Sequence, residues 1–475
     1  FYILSLPALP SACNQAGLGL NDILSGDFTS VLLMNYMFDF RWLLDTCPQL
    51  RDPSVLVCCL HGEKNDAQKD KLQFIVEEEL YNWTCSEVEL GAERFGTHHS
   101  KAAILFYPDG IRVAIMTANY VESDFMCRTQ GLFVQDFPKK TSTSTGTVPF
   151  ENDLISYLEQ VRVKSPDTAA TFSSAICKIQ LYDFSSAEVV LVGSVPGRHS
   201  SKDAKWGHLK LAASVRKAQA TSLSEDAPSP QKSKLLMQYS SMGSMGLNGK
   251  YLKELAESLY GGPCPDLQLV WPAVSCVRNS LQGYMSGGSL PCKADILYDN
   301  VNTRALKSCF CGRIYQWCGT PDGRHMATPH MKCYFKYKSS SESKEPAWNQ
   351  IEWFLLTSMN LSQAAWGVLQ GNGSKLYIKS YELGVLFLPS LMKQKSRSFS
   401  CTPSHPKLGI VRGGCVSDSN SSAVRNLNTL GDTGVYLDIP FTVPPPPYTS
   451  SDIPWTWDTP HWQADRLGNV WNPSG

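Results

Sequence analysis

Neither sign of charge is in excess in this chain: lysine plus arginine total 43 and aspartate plus glutamate total 43 among 475 residues. That balance removes the global field that would draw in nucleic acid or an anionic membrane, so any polyanion must be met by a local cluster. Long hydrophobic runs are missing too. The clearest, Val55 to Leu60 and Ala102 to Tyr107, are strand-length and fall far short of the roughly 20 residues that cross a bilayer. The opening Phe1-Tyr2-Ile3-Leu4-Ser5-Leu6 has no basic stretch before it and no initiator Met, so it reads as a trimmed start and not as a signal sequence.

Disulfide and metal frameworks are absent as patterns, although cysteine itself is plentiful. There are 16 cysteines, but Cys58 and Cys59 are neighbours in an apolar strand and no framework spacing recurs, which suits reduced thiols in a large intracellular protein. Cys309, Cys311, Cys318 and Cys333 match no common zinc spacing and read as coincidence. Asn82, Asn360, Asn372 and Asn420 open glycosylation sequons that read as chance occurrences.

What is present is the composition of a soluble globular protein, 43% apolar and 18% charged. The length exceeds what one core usually supports, which predicts two domains of about 200 residues, placed at 1–188 and 189–475. Val55 to Leu60 reads as a buried strand, followed by a helix from Lys64 to Asn82 with Asn65 or Asp66 as its cap. The runs Lys101 to Tyr107 and Ile111 to Thr117 flank Pro108-Asp109-Gly110 and predict a hairpin. A second hairpin is expected from Lys332 to Tyr337 and Ile351 to Thr357, joined by a polar Lys338 to Pro346 loop. Pro138 to Val148, Ser200 to Lys234 apart from Trp206-Gly207-His208, and Lys393 to Gly431 read as flexible inserts. Pro444 to Pro447 reads as a stiff surface connection.

One chemical phrase occurs twice. Thr97-His98-His99-Ser100-Lys101 leads to Asn119, and Thr328-Pro329-His330-Met331-Lys332 leads to Asn360. Both copies open a predicted hairpin and close on a Thr/Ser-x-Asn ending. Residues two apart on a strand share a face, so His99 with Lys101, and His330 with Lys332, are expected to converge on one pocket between two lobes. Two imidazoles, two ammonium groups and two amides suit a phosphoryl group, whose oxygens need neutralisation during displacement. One neutral histidine can attack phosphorus while the other protonates the leaving oxygen, and a covalent phosphohistidine then divides the reaction into two steps. The scheme needs no metal and no cofactor. His98 is expected on the opposite face, in a structural role.

The doubled His-x-Lys with a downstream Asn resembles the phospholipase D superfamily. Most of its members carry an Asp five positions after the Lys, where this chain has Phe106 and Tyr337. That departure is similar to the tyrosyl-DNA phosphodiesterase 1 branch, as are Phe95-Gly96-Thr97, Val195-Pro196-Gly197-Arg198, Trp206-Gly207-His208, Thr357 to Ser362, Tyr381-Glu382-Leu383-Gly384-Val385 and the Trp-rich end through Trp455, Trp457 and Trp471. The resemblance implies an α/β fold of two similar lobes, each a mixed sheet flanked by helices and related by a pseudo-two-fold axis.

By the same resemblance, His99 is the nucleophile and His330 the acid, then the base that activates water. Lys101, Lys332, Asn119 and Asn360 bind phosphoryl oxygens, Gln130 orients His330, and Glu382 orients His99. The implied substrate is single-stranded or end-frayed DNA carrying a tyrosine or peptide remnant of topoisomerase I on its three-prime phosphate, handled by a nuclear monomer that engages no membrane. Tyr36 and Phe95 resemble family aromatics near the substrate, with a core role as the equal alternative. The loop through Ser240, Ser241 and Ser244 resembles one that holds a single strand, although as a bare motif it reads more readily as a strand-to-helix turn. Two other functions remain open at this point: a phospholipase D-like hydrolase of lipid or unmodified DNA, and a non-catalytic DNA-end binder.

Overall fold

A computed structural model describes residues 1–14, 17–91, 95–142, 146, 148–221, 233–319, 323–338, 350–391, 399–400, 435–437 and 439–473. Two mixed β-sheets of matching topology carry it. In spatial order the first runs Tyr2–Ile3, Gly131–Pro138, Gly110–Met116, Ala102–Phe106, Ser30–Asn35, Leu56–His61, Trp83–Glu89 and Arg162–Val163. The second runs Val189–Ser194, Glu382–Phe387, Gln350–Thr357, Cys333–Lys338, Ser233–Gln238, Leu267–Trp271 and Ile314–Gln316. Strand directions agree along both: antiparallel through the hairpin and its neighbours, then parallel over the last three strands of the repeated unit.

Local sequence accounts for these elements. Leu56–His61 is buried on both faces beyond Leu56, with Cys58 and Cys59 as free thiols inside it, as an apolar run in a parallel pairing demands. The next helix is Asp66–Glu79, and the Asn65 side chain caps it by accepting the Gln68 N–H. The first hairpin closes where Pro108-Asp109-Gly110 stands, with the Tyr107 N–H donating to the Gly110 carbonyl at 2.8 Å. In the second, Cys333–Lys338 pairs antiparallel with Gln350–Thr357. Phe106 and Tyr337, at the positions where the superfamily usually has Asp, are core residues of these two hairpins.

One apolar core joins the facing surfaces of the two sheets. It takes Ile104, Ile115 and Phe133 from one and Phe335, Leu356 and Phe387 from the other, with Phe133 and Phe387 edge to face at 6.3 Å. Helices cover the outer faces: Phe40–Thr46 and Asp66–Glu79 over the first sheet, Gly207–Thr221 and Lys250–Tyr260 over the second. Among the described residues no helix is long and apolar enough to cross a membrane.

The expected insert from Ser200 to Lys234 is corrected at both ends. Gly207–Thr221 is a helix because His208, Leu211, Ala212 and Val215 recur at helical spacing and are buried, while Ser233 and Lys234 already belong to a central strand. Residues 222–232 and 339–349, and most of Lys393 to Gly431, lie outside the described residues. The proline run pads a sheet edge: the Gln316 N–H donates to the Pro446 carbonyl at 2.9 Å.

Candidate active site

The two hairpins bring their motifs to adjoining edges of the two sheets, where backbone hydrogen bonds stitch them across. The His99 N–H donates to the Tyr381 carbonyl at 2.9 Å, and the Tyr381 N–H to Thr97 at 2.9 Å. In the corresponding place the His330 and Met331 N–H groups both reach the Thr129 carbonyl, at 3.0 and 2.8 Å. Tyr381 and Thr129 immediately precede Glu382 and Gln130, so each lobe delivers a polar side chain to the histidine of the other. Glu382 Oε2 lies 2.9 Å from His99 Nδ1 and accepts the Ser358 hydroxyl at 2.5 Å. Gln130 Nε2 lies 2.8 Å from His330 Nδ1, its Oε1 held by the Thr117 hydroxyl at 2.7 Å.

The lysines are folded back on their own motifs. Lys101 Nζ donates to the His99 carbonyl at 2.9 Å and Lys332 Nζ to the His330 carbonyl at 2.5 Å. Burial pushes Lys101 down to about 8, and Lys332 falls well below the usual lysine range through burial and then the Lys101 charge. Two buried ammonium groups that repel each other make a receptor for an anion. His99 lies below its ordinary value, because burial, Lys101 and Lys332 outweigh the pull of Glu382. A neutral ring whose Nδ1–H is held by Glu382 presents the Nε2 lone pair as a nucleophile. Burial lowers His330, and the Asp124 carboxylate beside it acts in the opposite direction.

The two asparagines are oriented differently. Asn360 Oδ1 accepts the N–H groups of Ser240 and Ser241 at 3.1 and 3.0 Å, which turns its Nδ2 donor away from that loop. Asn119 instead directs Nδ2 to Asp124 Oδ2 at 3.0 Å, and its backbone N–H reaches the same oxygen at 2.6 Å.

A family profile for tyrosyl-DNA phosphodiesterase matches residues 3–449. The chain belongs to the tyrosyl-DNA phosphodiesterase family. It is 36% identical to tyrosyl-DNA phosphodiesterase 1 of Arabidopsis thaliana over 494 residues, covering 99% of this chain and 76% of that protein. The Drosophila melanogaster relative of the same name is 30% identical over 408 residues, covering 80% and 64%. A crystal structure of the yeast tyrosyl-DNA phosphodiesterase superposes with a TM-score of 0.63 at 18% identity, covering 96% of this chain and 98% of that one, so the fold is the phospholipase D fold.

Within this family member, Tyr36 packs its ring 5.8 Å from that of His99, with Lys101 Nζ 6.0 Å from the Tyr36 centroid. Phe95 is no core residue: it is 71% exposed, with the Lys379 ammonium 5.5 Å over its ring. The Ser240 and Ser241 amides are committed to Asn360, and the Ser244 hydroxyl accepts the Gly246 N–H at 3.3 Å. The loop thus orients a motif residue as well as joining a strand to the helix Lys250–Tyr260. His98 is buried beside Tyr381 with neither ring nitrogen hydrogen-bonded, and burial takes it down to about 3.

Sequence reasoning missed Asp124. It stands five positions past Asn119, where the second copy has Ala365 five past Asn360. That mismatch between otherwise parallel motifs is the signal that marks it.

Proposed function

We propose that this phosphodiesterase hydrolyses the bond between tyrosine and a DNA three-prime phosphate, the linkage left by topoisomerase I, through a phosphohistidine and without a metal. The observation that carries the division of roles is Glu382 on His99 Nδ1. His99 Nε2 attacks phosphorus, the phosphorus–phenol oxygen bond breaks, and His330 gives its proton to the departing oxygen. His330 then takes a proton from water, the water oxygen displaces the phosphorus–nitrogen bond, and DNA leaves with a three-prime phosphate. Lys101, Lys332 and the Asn360 amide neutralise the phosphoryl oxygens through both steps, with Asn119 beside them.

Tyr36 and Phe95 flank the reacting group as surfaces for a base or peptide, and the Ser240 to Ser244 loop receives the single strand of a frayed end. One chain suffices because both lobes, divided at 188/189, complete one site. The reaction belongs in the nucleus, where topoisomerase-linked DNA lies.

The test is incubation with a three-prime phosphotyrosyl oligonucleotide in EDTA, which should release tyrosine. No cleavage, with turnover of phosphatidylcholine instead, would overturn the reading. His330→Ala should trap an acid-labile DNA adduct on His99, visible after denaturation. A variant that binds DNA but never forms the adduct would favour simple end binding.

A further inference from the structure

Asp124 is fully buried, in the short helix Glu122–Met126 that follows Asn119. Its Oδ1 is paired with Arg128, and its Oδ2 accepts both Asn119 donors and lies 3.2 Å from His330 Nδ1. That ring nitrogen therefore has two neighbours of opposite character: the Asp124 carboxylate, which only accepts, and Gln130 Nε2, which donates. The Thr117 hydroxyl on Gln130 Oε1 holds the amide in that orientation.

One nitrogen cannot satisfy both neighbours in one protonation state. Accepting from Gln130 requires a bare Nδ1, which in a neutral ring puts the hydrogen on Nε2 and removes the lone pair needed to activate water. Donating to Asp124 requires hydrogen on Nδ1. The imidazolium then offers its Nε2–H to the leaving oxygen, and the neutral ring left behind has Nε2 bare for the water proton. The Nδ1–H stays on Asp124 throughout, so protons balance across both steps.

We infer that Asp124 is a positioning residue that keeps the proton on His330 Nδ1, making it the carboxylate partner of the acid/base histidine as Glu382 is of the nucleophile. The inference rests on the function proposed above. The arrangement is reciprocal, since the first lobe supplies Asp124 to the second lobe's histidine and the second lobe supplies Glu382 to the first's. Burial opposes a charge on Asp124, but His330, Arg128 and the Asn119 N–H outweigh it and hold the carboxyl well below its usual range.

The experiment compares two three-prime esters of one oligonucleotide, phosphotyrosine and 4-nitrophenyl phosphate, in single turnover with wild type and Asp124→Asn. Tyrosine needs a proton to leave and 4-nitrophenol does not. Asp124→Asn should slow adduct formation from the tyrosyl ester about 10²-fold, the lower range for positioned proton transfer, and leave the nitrophenyl ester within about threefold. The adduct from the nitrophenyl ester should then persist, because water activation is impaired.

Equal slowing of both esters, or slowing of neither, would overturn the inference. Failure of wild type to cleave either ester would instead overturn the parent reading. If Asp124→Asn does not fold, ¹⁵N spectra of histidine-labelled wild type decide: neutral His330 should carry hydrogen on Nδ1, and the Nε2–H tautomer would contradict the assignment.

Discussion

Lys101, with Lys332 lowered beside it and the protonated His330 that the proposed mechanism requires, should bound the working range on the alkaline side. The Lys101 ammonium is displaced from the ordinary lysine value to about 8, so its charge is lost two to three pH units earlier than on a surface lysine. In the free enzyme kcat/KM should already be falling by the time pH rises through about 8. On the acid side His99 must be neutral, and its value lies below 6.5, so no decline is expected until the pH is below that. A profile with phosphotyrosyl oligonucleotide from pH 5 to 9.5 checks both limbs; a plateau reaching pH 9.5 would contradict the lysine assignment. A bound phosphoryl group restores the charge, so the kcat profile should hold to higher pH than kcat/KM.

Among the elements, the strand Leu56–His61 acts on the site through the residue that follows it. A Cβ on Gly62 would lie 2.3 Å from the His98 carbonyl oxygen and 3.0 Å from the Tyr36 ring. Gly62→Ala should push back the segment carrying His98 and His99, lowering stability by about 1–3 kcal/mol as overpacking does. Activity should drop more than folded fraction, which parallel urea titration and single-turnover assays measure. Both hairpins were legible in the sequence, because Pro108-Asp109-Gly110 and the polar Lys338 to Pro346 stretch interrupt clean apolar runs. The helix Gly207–Thr221 was not, since its buried face is only four residues wide in a segment rich in Lys, Ser and Ala. In the site, His-x-Lys is a local pattern and can be read from spacing. Asp124 acquires meaning only when the second lobe lays His330 against it, which no local window contains.

For the whole molecule, three buried histidines impose a common acid sensitivity. Burial brings His61 and His208 down to about 4 and His98 down to about 3. Each takes up a proton in the unfolded chain near pH 6.5 and resists it when folded, so the unfolded state binds more protons between these values. The stability they contribute is complete above about pH 6.5 and is lost as pH falls through that window, by at most about 1.4 kcal/mol per histidine per pH unit. Urea midpoints at pH 7 and pH 5 should therefore differ clearly, with the acid sample weaker; equal midpoints would show that these rings titrate normally.

The stitching of His99 to Tyr381 and of His330 to Thr129 has a kinetic corollary. Because each histidine is registered by the opposite lobe, any slip between lobes misaligns the proposed nucleophile and acid together. Substitutions in the shared core beneath them, such as Phe387→Leu against Phe133, should slow adduct formation and adduct hydrolysis in proportion. Changes at Glu382 should move the two rates apart. Attack and release thus behave as two hands of one clockwork, mistimed jointly from the frame and singly only from the teeth.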